Sequence, residues 1–239
     1  MRLIPSEVHV WRACLDPPAA GSQDFTPLLS REEQERAEAF LLPRDRLRFR
    51  AGRGLLRILL GRYLKIGPQE LEFSYGPHGK PEIGASLKRR KIEFNLSHAG
   101  GHLLVAVALG RRVGVDIERI SSEPERVEIA DRFFAPVERA ALEALPETDR
   151  PRAFAAYWTC KEAFTKATGE GLACPLDSFA IQLTPGGPSA LLYAREMPDA
   201  VRRWKFVETG AFTGYADAVV AEGQNWVLRC WEGSLEEDA

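Results

Sequence analysis

Three carboxylates and one lysine in this chain stand at spacings that could gather a metal ion and a phosphate. Asp116 and Glu118 lie two apart in VGVDIE, residues 113–118. Side chains of an extended strand alternate with period two, so both carboxylates share a face with Gly114, roughly 6–7 Å apart along the backbone. Val113, Val115 and Ile117 take the other face. Glu162 and Lys166 lie four apart in AFAAYWTCKEAFTKATG, residues 153–169, with Trp158 four before Glu162. That spacing puts all three on one side of a helix. Ala153, Ala156, Tyr157, Cys160, Phe164 and Ala167 form an apolar stripe on the opposite side. Taken singly, these are an ordinary half-exposed strand and a wet Glu–Lys helix pair. Trp158 is a poor choice for a solvated face, so its side of the helix is expected to cover a cleft. Gly114 adds the expectation of close approach by a ligand or another backbone.

Cations accompany the carboxylates. In PRDRLRFRAGRGLLRILLGRYL, residues 43–64, Arg46, Arg50, Arg53 and Arg57 recur at helical spacing and are expected to form an outward, solvated basic face. Arg48 instead falls with Gly52, Leu55 and Leu59, on the side that should meet the protein. Guanidinium cannot shed its charge, so Arg48 must be paired or face a pocket, and a phosphate is a natural partner. In FNLSHAGGHLL, residues 94–104, Asn95, Ser97 and His98 end a strand and enter a Gly-Gly turn whose backbone N–H groups suit an anion. Ser97 and His98 are not a nucleophilic pair: strand neighbours point apart, and no GxSxG turn accompanies them. Lys80, in YGPHGKPEI, is a further loop cation. Oxygen-only donors suit Mg²⁺, which takes a few carboxylates and leaves room for substrate phosphate. The chemistry indicated is metal-assisted transfer at a phosphate or pyrophosphate.

These residues need strands and helices to hold them. A first strand is expected at VHVWRACL, a helix from the Ser30–Glu33 capping box to about Phe40, and a second helix from about Asp45 to Leu64. Strands follow at 71–75, 91–96, 102–109 and 113–118. Helical character resumes near Pro124, with Pro136 opening PVERAALEAL and a longer helix from Asp149 to Thr168 closed by Gly169. The tail alternates again in SFAIQL, RWKFVE, GYADAVVAE and NWVLRCW. The order favours an α+β fold of two similar halves, 1–113 and 114–239, meeting near 113–120.

Composition narrows the class. With 239 residues the chain can bury a substantial core, and a net charge of −2 gives no global attraction to nucleic acid. Cys14, Cys160, Cys174 and Cys230 make no CxxC pair, which argues against zinc and for reduced thiols. The opening MRLIPSEVHVWRACL has no apolar leader core, and no stretch approaches 18 apolar residues. A cytoplasmic protein without a membrane partner is expected.

The ordered set FNLSHAGG, VGVDIER, RFFAPVE and WTCKEAFTKATGEGL, within about Phe40 to Phe179, resembles the 4′-phosphopantetheinyl transferases of the surfactin-synthetase-activating type. The resemblance implies a monomer of two α+β halves packed as a pseudo-dimer, with coenzyme A in the cleft between them. It implies transfer of the phosphopantetheine arm to a serine of an apo acyl or peptidyl carrier protein, releasing 3′,5′-ADP. Asp116, Glu118 and Glu162 would hold Mg²⁺ with the pyrophosphate, and Lys166, Ser97 and His98 would contact phosphates. Arg48 would meet the 3′-phosphate, and Lys80 would be another coenzyme A contact. Glu138, in RFFAPVE, matches a glutamate that would help deprotonate the serine or a metal-bound water. The stretch SREEQERAEAF departs from relatives that carry two cations there, since Arg31 and Arg36 stand with Glu32, Glu33 and Glu35. A silent coenzyme A- or carrier-binding protein and a Mg²⁺-dependent phosphohydrolase are the alternatives. The intact carboxylate trio opposes the first, and the lack of a DxD or HD motif opposes the second.

Overall fold

The computed structural model describes residues 2–16, 24–76, 79–123, 125–171, 174–184 and 187–233. Pro124, near which helix was expected to resume, lies outside them. Eleven strands and six α-helices alternate along the described chain as an α+β fold.

The first sheet is built from β1 (Glu7–Cys14), β4 (Ile92–Ala99), β5 (His102–Leu109) and β11 (Val227–Glu232), in the order β11-β1-β5-β4. The second contains β6 (Val113–Arg119), β9 (Trp204–Val207) and β10 (Tyr215–Glu222), in the order β6-β10-β9. Strand alternation decides the layering. Trp11, Leu103, Val105 and Val107 bury one face of the first sheet against helix α2 (Pro43–Leu64). Val8, Val10, Leu104, Ala106 and Ala108 bury its other face against Val113, Val115, Ile117 and Val219 of the second sheet. The far face of the second sheet, with Ala218 and Val220, packs on helix α5 (Arg150–Thr168). The result is helix, sheet, sheet, helix, with β4 and β6 side by side at the seam.

Local chemistry sets the helix ends. Ser30 Oγ accepts from the Glu33 amide, and the Glu33 carboxylate accepts from the Ser30 amide, so the expected capping box opens α1 (Arg31–Glu38). Pro43 takes the first turn of α2, two residues before the expected start. Gly169 ends α5 in the left-handed region at φ 82°, where it carries no Cβ penalty. Two strands lacked a clear signal. Strands β2 (Phe73–Tyr75) and β3 (Pro81–Ile83) pair only with each other, as do β7 (Phe179–Gln182) and β8 (Ala190–Ala194). Segments of three to five residues carry too little alternation to announce β3 and β8.

Two burial expectations change. The strand holding the carboxylates is covered on both faces, with Val113 through Ile117 all buried. Helix α2 does not keep an outward basic face: Arg53 is 8% exposed and Arg57 only 2%. Helix α1 lies over that side, and its Glu33 meets Arg57 at 2.7 Å in a pair with both side chains 3% exposed. Arg57 also donates to the carbonyls of Pro68 and Leu71.

Candidate active site

Strand β6 points Gly114, Asp116 and Glu118 at helix α5. At Gly114 the close neighbour is backbone: a Cβ there would collide with the Ala163 carbonyl and stand 2.6 Å from Ala167 N. Only glycine lets α5 approach so near. That approach brings Lys166 Nζ within 2.6 Å of Asp116 Oδ1. Ser97, across the seam on β4, donates to the same oxygen at 2.7 Å and accepts from Lys166 at 3.2 Å. Asn95, two residues earlier, accepts from the Val115 amide at 2.8 Å and so pins β4 to β6.

Asp116 is 3% exposed, and its second oxygen, Oδ2, is buried with no hydrogen-bond partner among the described residues. Burial, reinforced by the Asp116 and Glu162 charges, raises the Glu118 carboxyl above its usual range. Burial likewise raises Glu162, with Lys166 opposing and Asp116 adding to the shift. Like charges crowd here without full compensation. Among the described residues, no three acidic, histidine or cysteine side chains already form a cation cage. Lys166 occupies Asp116 instead. The donor set and the orphaned Oδ2 nevertheless fit a hard divalent cation.

Two hollows meet at Leu96 on β4. One, about 390 Å³, is lined by Lys80, Asn95, Glu162, Thr165 and Lys166. Lys80 is turned onto backbone, donating to the Lys166 carbonyl at 2.7 Å and the Val113 carbonyl at 3.4 Å, and burial lowers its pKa. The other, also about 390 Å³, is lined by Arg36, Arg48, Arg53 and His98 with Phe40 and Phe49. His98 points away from Ser97, as strand neighbours must, and keeps one edge open to solvent. Partial burial, then Lys166, Arg53 and Arg48, hold its imidazole below the usual range.

Arg48 is both paired and at a pocket. Its Nε and Nη2 each donate to Asp16 at 2.6 Å, a bidentate bridge that pulls the Asp16 carboxyl below its normal range. Arg53 is the residue that the sequence pattern misplaced. It lies about 6 Å from the Phe49, Phe73 and Tyr75 rings, and its buried Nη1 has no partner among the described residues. Nothing in a one-dimensional helical pattern separates it from Arg50 three residues before, which is half-buried and paired with Glu38 of α1.

Two expected site residues lie elsewhere. Trp158 does not line the groove; it packs against Phe154 and Phe133 in the C-terminal core. Glu138, on α4 (Pro136–Glu143), is not brought to the carboxylates of β6 and α5. Its side chain has no exposure and meets Lys161 at 2.8 Å. It also accepts from the Ala135 and Ile181 amides at 2.8 and 2.7 Å. Burial pushes its carboxyl up and the Lys161 ammonium down, and the mutual attraction opposes both shifts.

A carboxylate cluster crossed by one lysine, beside a cation-lined hollow, defines a protein built to handle a phosphate-bearing substrate. Residues 112–221 match the 4′-phosphopantetheinyl transferase superfamily, and residues 16–109 match the family described as 4′-phosphopantetheinyl transferase, N-terminal. The chain is 38% identical over 231 residues to 4′-phosphopantetheinyl transferase HetI of Nostoc sp., covering 97% of this chain and 94% of that one. It is 31% identical over 179 residues to 4′-phosphopantetheinyl transferase Sfp of Bacillus subtilis, covering 75% of each. The chain belongs to the 4′-phosphopantetheinyl transferase superfamily and is a transferase of the Sfp type.

Proposed function

We propose that this chain acts as a monomer in the cytoplasm, moving the phosphopantetheine arm of coenzyme A onto a serine of an apo acyl or peptidyl carrier protein. The observation that carries this is the Lys166–Asp116–Ser97 cluster at the seam, flanked by Glu118 and Glu162 and opening toward a second, cationic hollow. A substrate with a pyrophosphate at one point and a phosphomonoester at another suits two neighbouring cationic sites.

The serine oxygen bonds to the phosphorus bearing the phosphopantetheine arm. The P–O bond to the nucleotide breaks, and 3′,5′-ADP leaves with the electron pair. Lys166 holds the pyrophosphate oxygens, with Ser97 and His98 as further contacts. The serine proton passes to Glu162, the carboxylate that lines the groove. Arg48, Arg36 and Arg53 surround the 3′-phosphate, and Lys80 shapes the groove by fixing the α5 carbonyl at Lys166. Asp116, Glu118 and Glu162 would hold Mg²⁺, which would neutralise charge on the 5′-phosphate of the leaving 3′,5′-ADP. Read as two halves, 1–113 and 114–239, the chain would supply one long helix from each, with the site at the seam between β4 and β6. No helix of the described residues is long and apolar enough to cross a membrane.

The test is to incubate the protein with coenzyme A, Mg²⁺ and several apo carrier proteins and weigh the carriers. A carrier heavier by one phosphopantetheine supports the transfer. Unchanged carriers with coenzyme A still bound would leave a binding protein.

A further inference from the structure

The buried Glu138–Lys161 pair is a strongly charged feature beside the site that the transfer chemistry does not use. Its partners are fully matched. Lys161 Nζ has three protons, and it reaches three acceptors: Glu138 Oε2 at 2.8 Å, the Leu176 carbonyl at 2.8 Å and the Phe179 carbonyl at 2.9 Å. Both Glu138 oxygens receive backbone amides, from Ala135 at the start of α4 and Ile181 in β7. The ammonium also sits 4.3 Å from the centre of the Phe179 ring. One residue on α5 is thus tied to α4, to β7 and to the turn before it.

Lys161 immediately precedes Glu162. Successive helix residues diverge by about 100°, so an anchor at Lys161 on the core side sets where Glu162 points on the groove side. Gly114 supplies the opposing stop, because β6 touches the α5 backbone at Ala163. We propose that the Glu138–Lys161 pair is a positioning element, fixing the rotation of α5 about its axis so that Glu162 and Lys166 face Asp116. A rotation of about 10° at a side-chain radius near 6 Å moves a carboxylate by about 1 Å, a displacement that can cost of the order of a hundredfold in rate.

This inference rests on the transferase reading, and the experiment separates the two. Glu138→Gln, Lys161→Met and the double variant are assayed for transfer to an apo carrier, below the melting temperature of each, with circular dichroism confirming the fold. Each single variant should lose about ten- to a hundredfold in kcat with KM for coenzyme A unchanged. The double variant should be no slower than the slower single, because all three break one tie. The pH profile of kcat should keep both limbs. Should Glu138→Gln fail to fold, Glu138→Asp and Lys161→Arg, which keep the charges but shift the anchor, should show the same kcat loss. Folded variants with wild-type kcat would overturn the proposal and leave the pair as a stabiliser only. A Glu138 variant far slower than the Lys161 variant, with one pH limb lost, would overturn it in favour of proton transfer by Glu138. A wild-type protein that fails to modify any carrier would instead refute the transferase reading.

Discussion

Replacing Arg53 by methionine probes the cationic hollow most directly. Arg48 already gives two N–H groups to Asp16, so that pair carries little net charge toward a ligand. Among the described residues Arg53 has no carboxylate in its bonding shell, and its buried Nη1 has no acceptor. One hydrogen bond to a charged group contributes about 1.5–3 kcal/mol, and each 1.4 kcal/mol is tenfold in affinity. Arg53→Met should therefore weaken coenzyme A by about ten- to a hundredfold. Binding of 3′-dephospho-coenzyme A should change by less than about threefold, since that ligand lacks the phosphate to be held. Methionine keeps the apolar stem and removes an uncompensated buried charge, so the melting temperature of the ligand-free protein should not fall. Arg48→Met should also weaken coenzyme A more than the dephospho ligand, but by less than Arg53→Met, because Asp16 already takes two of its N–H groups. Calorimetric titration of both ligands into the three proteins decides the matter. Equal losses for both ligands in Arg53→Met, or no loss for either, would refute the assignment.

Asp116→Ala and Glu162→Ala should each abolish carrier modification while the fold persists. Without a cation Glu162→Ala removes one of several crowded like charges and should melt at an equal or higher temperature, whereas Asp116→Ala strands the Lys166 ammonium and should melt lower. Gly114→Ala should drive a methyl into the α5 backbone and cost about 1–3 kcal/mol, lowering the melting temperature by roughly 5–10 °C. It should also impair transfer, because α5 carries Glu162 and Lys166. Burial holds His9 below its usual pKa despite Glu7, while its Nδ1 meets the Tyr63 hydroxyl at 2.7 Å. The unfolded chain then binds the proton first, so His9 subtracts stability as pH falls from about 6.5 through its lower folded value. Urea melts between pH 8 and pH 5 should show that slope, shallower in His9→Gln; an identical slope would remove His9 as its source. Arg229 and Glu7 face the same ring, and Glu7, itself lowered, titrates below this window.

Much of the site was readable because its signals are short-range. The period of two put Asp116 and Glu118 on one face, and the period of nearly four aligned Glu162 with Lys166. Arg48 announced itself as an arginine on an apolar side. Other features depended on contacts across the fold. Arg53 and Arg57 carry the same periodicity as Arg50, yet both are buried, Arg57 against Glu33 of α1. Glu138 sits in a motif resembling that of its relatives, but its charge is answered internally by Lys161. The strand NWVLRCW was visible as alternation, and nothing local said that it would run parallel to β1 in the first sheet.

By itself the sequence determined which residues alternate, where helices start and stop, and which carboxylates and cations travel together. Backbone geometry enforces those regularities within a few residues, so they survive without tertiary context. The tertiary structure alone decided that Gly114 meets a helix rather than a ligand, that Asp16 neutralises Arg48, and that Arg53 is buried among the Phe49, Phe73 and Tyr75 rings. Those outcomes follow from how two sheets and two helices stack, which brings together charges tens of residues apart whose pairing no local period encodes.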